Sequence, residues 1–269
     1  MYAYILRAHQ KIDRVAMRHL VRLAGRVPDF PRIREILHFE GVNGPDAVKF
    51  KRSNEGQPWH FINPFDENDT NLRDIIGGHY DKLVESLKTK NHERASFEAA
   101  WLAHALVDGL TPPHHYPYEA ELEQLRGADR HSRLSLRDRA LVKGKNKRDT
   151  VNRSIKLVGP RGLLTNHANF EAGAYVIVLP FRLHRGMPTA ADIAELHELG
   201  VIGYFRRQAR EIGALGMYDT FMQHGWTAKL ARQVRHEMAP RMAKTVTLLW
   251  YAAMIDAGLI KKAKPKAKP

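Results

Sequence analysis

His104 and Asp108 stand four residues apart in the run His104-Ala-Leu-Val-Asp108-Gly-Leu-Thr-Pro112-Pro113-His114. On a helix this spacing puts both side chains on one face, where a single metal ion can touch both. The neighbours Phe97, Trp101, Leu102, Leu106 and Val107 are apolar. The pair is therefore expected beside a core, where an aspartate is costly unless paired or metal-bound. Pro112 and Pro113 end the helix and can turn His114 back toward the same place. A second pair with the same spacing is His167-Ala-Asn-Phe-Glu171, near the start of a later helix. Either pair alone occurs often by chance. Two of them suit a site assembled from facing helices.

Weaker signals lie upstream. His60 sits between aromatic neighbours in Trp59-His60-Phe61-Ile62-Asn63-Pro64, where a packed, hydrogen-bonded histidine is the commoner reading. Asp46 follows Gly44-Pro45 and says nothing alone. His9 falls on the first helix, where an ordinary surface histidine is the plain reading. The chain has no cysteine, so disulfides and thiolate sites are excluded and any metal takes His, Asp and Glu. Imidazole and carboxylate together suit zinc, and also manganese or iron.

The elements that must position these residues are helices. Apolar positions recur at three- and four-residue steps over 2–24, and amphipathic patterns cover 70–90 and 93–110. Residues 25–66 are rich in Gly, Pro and Asn and read as loop with one short helix. An apolar pattern resumes over 163–180, where Tyr175-Val176-Ile177-Val178-Leu179 is β-branched enough to leave strand open. Long helical patterns span 189–214 and 225–258, with a bend expected at Pro240. The fold class expected is all-α: one multi-helix domain over 1–258, then a disordered basic tail over 259–269.

Taken together, the residues resemble the zinc-dependent phospholipase C and S1/P1 nuclease superfamily. The resemblance rests on His104-x3-Asp108-x5-His114 with Pro112 two positions before the last histidine. It also rests on Asp46 fourteen residues before His60-Phe61, on His167-x3-Glu171, and on His9 in an N-terminal helix. The closing helix with Leu248-Leu249-Trp250-Tyr251 is similar too, so the resemblance runs from residue 1 to about 258. It implies a cluster of two to three zinc ions. One would take Asp46, His60, His104 and Asp108. A second would share Asp108 and add His9. A third would take His114, His167 and Glu171. It further implies phosphodiester hydrolysis, with Asp46 orienting or deprotonating the attacking water. The substrate would be a phospholipid headgroup, cut in the manner of phospholipase C, or a single-stranded nucleic acid, cut in the manner of S1/P1 nucleases. Tyr116, Tyr118 and Trp59 are the nearest aromatics for stacking bases, although core packing is the preferred reading of them.

The chain departs from the family twice. Secreted members complete one metal site with an N-terminus freed by signal cleavage. This chain starts Met1-Tyr2 with no cleavage signal, which leaves the Met1 amine, water or an incomplete site as alternatives. The absence of a signal and of a membrane-length apolar run points to a cytoplasmic protein. The second departure is a basic stretch over 121–161, which holds twelve Lys or Arg against three Asp between Arg126 and Arg161. It reads as an insertion: a lid, a phosphate-binding surface, or a disordered loop. The chain carries a net charge of +14, five of it in the last nine residues. Such a balance favours phosphate-bearing partners, so the stretch and the tail are candidate contacts with an anionic surface. A non-catalytic basic protein that binds nucleic acid or anionic membrane is the alternative of another class.

Overall fold

A computed structural model describes residues 2–40, 43–46, 59–126, 142 and 144–261. Among them the secondary structure is helical throughout, with no strand. In chain order the helices are α1 (Tyr2–Ala24), α2 (Ile33–His38), α3 (Asn71–Lys88), α4 (His92–Gly109), α5 (Tyr118–Arg126), α6 (Lys147–Val158), α7 (Leu163–Val178), α8 (Ala190–Gly213), α9 (Met217–His224), α10 (Ala228–Gln233) and α11 (Ala239–Asp256). Short 3₁₀ turns over Pro112–His115 and His184–Gly186 and a π turn over Val234–Met238 link some of them.

Helix α11 is the central element. From Ala239 to Met254 it is buried nearly all round, which is how a helix apolar on every side must sit. Trp250 is wholly inside, and its indole N–H donates to the Ala99 carbonyl of α4 at 3.1 Å. Around α11 pack α1, α3, α4 and α8. Helices α3 and α4 form an antiparallel hairpin. Lys90 takes a left-handed φ of 55° in its turn, and the Asn91 side chain caps α4 by accepting from the Arg94 amide at 3.1 Å.

The 163–180 pattern resolves as helix α7. Ala174, Tyr175 and Val178 are buried at helical spacing where α7 meets α1, and this packing overrides the β preference of Val and Ile. The 225–258 pattern is divided into α10, the π turn and α11. Pro240 lies in the first turn of α11, where its missing N–H costs least, and the wide π turn falls just before it. Within 121–161, α6 is a regular helix, capped by the Asn146 side chain and packed on α5 and α7. Residues 127–141 and 143 of that stretch lie outside the described residues, as do 262–269 of the tail.

Gly109, at the end of α4, is the position of closest approach to neighbouring helices. A methyl group there would lie 2.5 Å from the Phe205 ring of α8 and 2.9 Å from Leu72 of α3. Phe205 and Leu72 are fully buried and have nowhere to swing. Replacing Gly by Ala in a helix gains about 0.5–1 kcal/mol, but overpacking a core costs typically 1–3 kcal/mol. The clash wins, and Gly109→Ala is expected to destabilise the metal-free protein by roughly 1–2 kcal/mol. Thermal unfolding of the two proteins measures it.

Candidate metal centre

Three helices and three connecting segments, one of them 43–46 with Asp46, converge around Asp108. Helix α4 presents His104 and Asp108 one turn apart, α1 presents His9, and α7 presents His167 and Glu171. The Pro112–His115 turn brings His114 back, and the segment before α3 contributes His60. All eight residues singled out in the sequence are described and meet here; Met1 lies outside the described residues. His9 is 5 % exposed, not a surface histidine, and Asp108 is 2 % exposed.

The carboxylate of Asp108 is shared. Its Oδ1 lies 3.4 Å from His9 Nε2 and 3.9 Å from His114 Nε2, and its Oδ2 lies 3.2 Å from His104 Nε2 and also contacts His60 Nδ1. Asp46, half-buried, reaches to 3.8 Å from His104 Nε2. Glu171 Oε1 is 3.0 Å from His114 Nε2 and 3.1 Å from His167 Nε2. The ligand atoms fall into three groups that each sit within 4.8 Å: His9, Asp46 and His104; His60, His104 and Asp108; His114, His167 and Glu171. The first two share His104. The third contains the three residues that the family resemblance assigns to one ion.

Hydrogen bonds behind the rings fix their orientation. His104 Nδ1 donates to Glu40 Oε1 at 2.9 Å, and His114 Nδ1 donates to the carbonyl of His60 at 2.7 Å. The Ile62 amide in turn donates to the His114 carbonyl at 2.9 Å, so the 60–62 segment and the Pro112–His115 turn are bound together at two points. Such partners select the Nδ1–H tautomer of a metal-binding imidazole. In that tautomer the Nε2 atoms of His104 and His114 carry lone pairs, and both face carboxylate oxygens, which carry only lone pairs as well. A cation must lie between them: a proton on each imidazole, or a metal ion. The donor set therefore fits a metal.

The electrostatics agree. Burial works against the charge on His104, but Asp108, Glu40 and Asp46 outweigh it and hold the imidazole well above its ordinary pKa. His114 is raised in the same way, against burial, by Asp108 and Glu171. Burial alone would raise Asp108 and Glu171; His104, His114 and His60 hold the first, and His167 and His114 the second, below the usual carboxylate range. The adjacent His115 behaves differently. Burial pushes it down to about 4 and it points to the Gly109 carbonyl at 2.9 Å, so it is a neutral packing residue.

Two further acids belong to this neighbourhood. Glu40, just after α2, is wholly buried and lies 3.7 Å from His9 Nδ1 as well as holding His104. Asp13, also wholly buried, has no hydrogen-bond partner; burial, then Glu40, hold its carboxyl well above the usual range. Asp13 follows His9 by four residues, the spacing that marks the other pairs, and could have been found that way. Glu40 has no such partner in the sequence.

The aromatics beside the site pack inward. Phe61 stacks on Tyr118 with ring centroids 5.1 Å apart, Tyr118 is buried, and Trp59 and Tyr116 lie against the main core. No family model, no curated protein and no solved structure matches this chain. What defines it is an all-α fold, among the described residues, with buried His and Asp groups able to bind metal.

Proposed function

We propose that the chain is a zinc-dependent phosphodiester hydrolase of the phospholipase C/P1 nuclease type, acting on a phospholipid headgroup. One observation carries the reading: four histidines crowd a buried Asp108, and on two of them, His104 and His114, the Nδ1 partners leave an Nε2 lone pair facing carboxylate oxygens. His9, Asp46, His60, His104, Asp108, His114, His167 and Glu171 would hold two to three zinc ions. Bound there, such ions neutralise a phosphate and lower the pKa of water.

The chain's own residues do the rest. Glu40 holds His104, and the His60 carbonyl holds His114, in the ligating tautomer. Asp46 is more exposed than Asp108, so it is the carboxylate placed to orient the attacking water and take its proton. Buried Asp108 neutralises and positions imidazoles. Packing of Trp59, Tyr116 and Tyr118 against the protein leaves them poorly placed to stack bases, which favours the phospholipase reading over the nuclease one.

Protein purified without a metal-binding tag is expected to carry two to three zinc equivalents by elemental mass spectrometry, and to hydrolyse phosphatidylcholine faster than single-stranded DNA. No metal, even after reconstitution, would sink the enzymatic reading. Preference for DNA would move the chain to the nuclease side.

A further inference from the structure

A second charged surface lies on the side of α1 that the metal cluster does not use. Lys11, Arg14, Arg18 and Arg22 follow one another at steps of three and four, so they project from one stripe of the helix. The last three are exposed. The segment after α7 adds Arg182 and Arg185, and α10 with the π turn adds Arg232 and Arg235. The segment after α7 joins the two sets, since Lys11 bonds its Leu179 carbonyl and Arg235 covers its Phe181 ring; Arg182 is correspondingly felt by Arg18, and Arg185, Arg232 and Arg235 by His236. The Arg235 guanidinium lies 3.7 Å over the Phe181 ring.

No carboxylate among the described residues pairs with any of these cations. On α8 and α11, by contrast, arginines are neutralised: Arg206 and Arg210 pair with Glu67, Arg207 with Glu195 and Glu211, and Arg241 with Glu211 and Glu237. Unpaired cations gathered on one face attract phosphate-bearing partners.

Apolar side chains border the same patch. Val176 is 61 % exposed and Leu179 48 % exposed at the end of α7. Lys11 Nζ donates to the Leu179 carbonyl at 3.0 Å, so the cation stripe and the aliphatic end are continuous. Beside Val176 runs a shallow groove of about 600 Å³ lined by Gly173, Ile177, Trp226 and Ala228. Exposed aliphatic residues gain nothing from a sugar-phosphate backbone, but they gain from the boundary between headgroups and acyl chains. We propose that this face docks the protein on an anionic bilayer, with the arginines against headgroup phosphates and Val176 and Leu179 entering the acyl boundary. The inference stands apart from the hydrolase reading, since docking requires neither metal nor turnover.

The test is co-sedimentation of the full chain with phosphatidylcholine vesicles made with and without phosphatidylserine. Duplex DNA binding and hydrolysis of a water-soluble phosphodiester are measured beside it. Wild-type protein is expected on the anionic vesicles only. Arg14→Glu/Arg18→Glu/Arg22→Glu is expected to weaken partition by roughly 100-fold or more, at about one lipid-surface interaction per arginine. Val176→Ser/Leu179→Ser is expected to weaken it by roughly tenfold while leaving DNA binding unchanged. Circular dichroism checks that both surface variants are folded. Failure of the wild-type chain to bind anionic vesicles overturns the proposal. So does full vesicle binding by the serine variant, which would show that Val176 and Leu179 take no part in docking and leave only non-specific attraction to anionic surfaces. A chain that docks yet never hydrolyses the soluble diester refutes the proposed activity and leaves the docking face intact.

Discussion

Asp108→Asn is expected to lose more than one metal equivalent and to slow phosphodiester turnover by roughly a thousandfold. The two oxygens serve different imidazoles: Oδ1 faces His9 and His114, and Oδ2 faces His104 and His60. Asparagine keeps the volume but replaces one oxygen with an amide NH₂, which donates and cannot ligate. One face of the residue therefore stops serving its neighbours whichever way the amide turns. Lewis-acid stabilisation is worth several kcal/mol at the transition state, and about 1.4 kcal/mol is a factor of ten in rate. Elemental mass spectrometry reads the stoichiometry, and circular dichroism checks that the fold survives. Full metal content in the variant would show that Asp108 does not bridge.

Zinc is expected to raise the melting temperature far more at about pH 8 than at about pH 5.5, because protons compete for the same nitrogen atoms. Without metal, His104 and His114 have raised pKa values in the folded state. Their charge therefore stabilises the fold fully below the unfolded histidine value, about 6.5, and this is lost as pH rises through the folded values. Asp108 and Glu171 are depressed. Their contribution is present above the unfolded carboxylate value, about 4, and is lost as pH falls through the folded values. The metal-free cluster is thus best satisfied between about 4 and 6.5, and above that it progressively loses its cations as pH rises toward and through the raised folded values of His114 and His104. A metal supplies them there. One site filled at a thousand times its Kd adds about 4 kcal/mol, or roughly 10 °C for a chain of this size. Protons should be released as zinc binds in weak buffer. An equal shift at both pH values, or a larger one in acid, would show that zinc binds elsewhere.

Much of this architecture was legible before any coordinates. The three- and four-residue periodicity marked α1, α3 and α8, which bury one apolar stripe each, and the 93–110 pattern marked α4, which is buried on nearly every side from Ala95 to Gly109. Helix α7 was ambiguous, since Val176, Ile177 and Val178 favour strands locally and only contact with α1 decides the matter. Helix α9 went unread. It is eight residues long, and its buried Met217, Tyr218 and Phe221 span too few turns to show a period. At the site, His104–Asp108 and His167–Glu171 were visible through helical spacing, and the resemblance grouped the other ligands with them. Glu40 was invisible. It reaches His104 from 64 residues away, and a carboxylate that acts through a fold-made hydrogen bond leaves no local pattern. An anionic-surface contact was expected in 121–161 and the tail, of which 127–141, 143 and 262–269 lie outside the described residues. The arginines of α1, of 182–185 and of 232–235 share a face only once three separate segments have packed, so no local pattern announced that second basic surface.

The paired hydrogen bonds between the 60–62 segment and the Pro112–His115 turn have a mechanical consequence. His60 belongs to one ligand group and His114 to another, yet the His114 ring is anchored to the His60 carbonyl and the His114 carbonyl to the Ile62 amide. The span between the groups is therefore held by main-chain atoms as well as by side-chain rotamers. Such a brace acts as a calliper: the opening of one ligand group is tied to that of the other, so were ions held by both, they would load cooperatively and tolerate little variation in ionic radius.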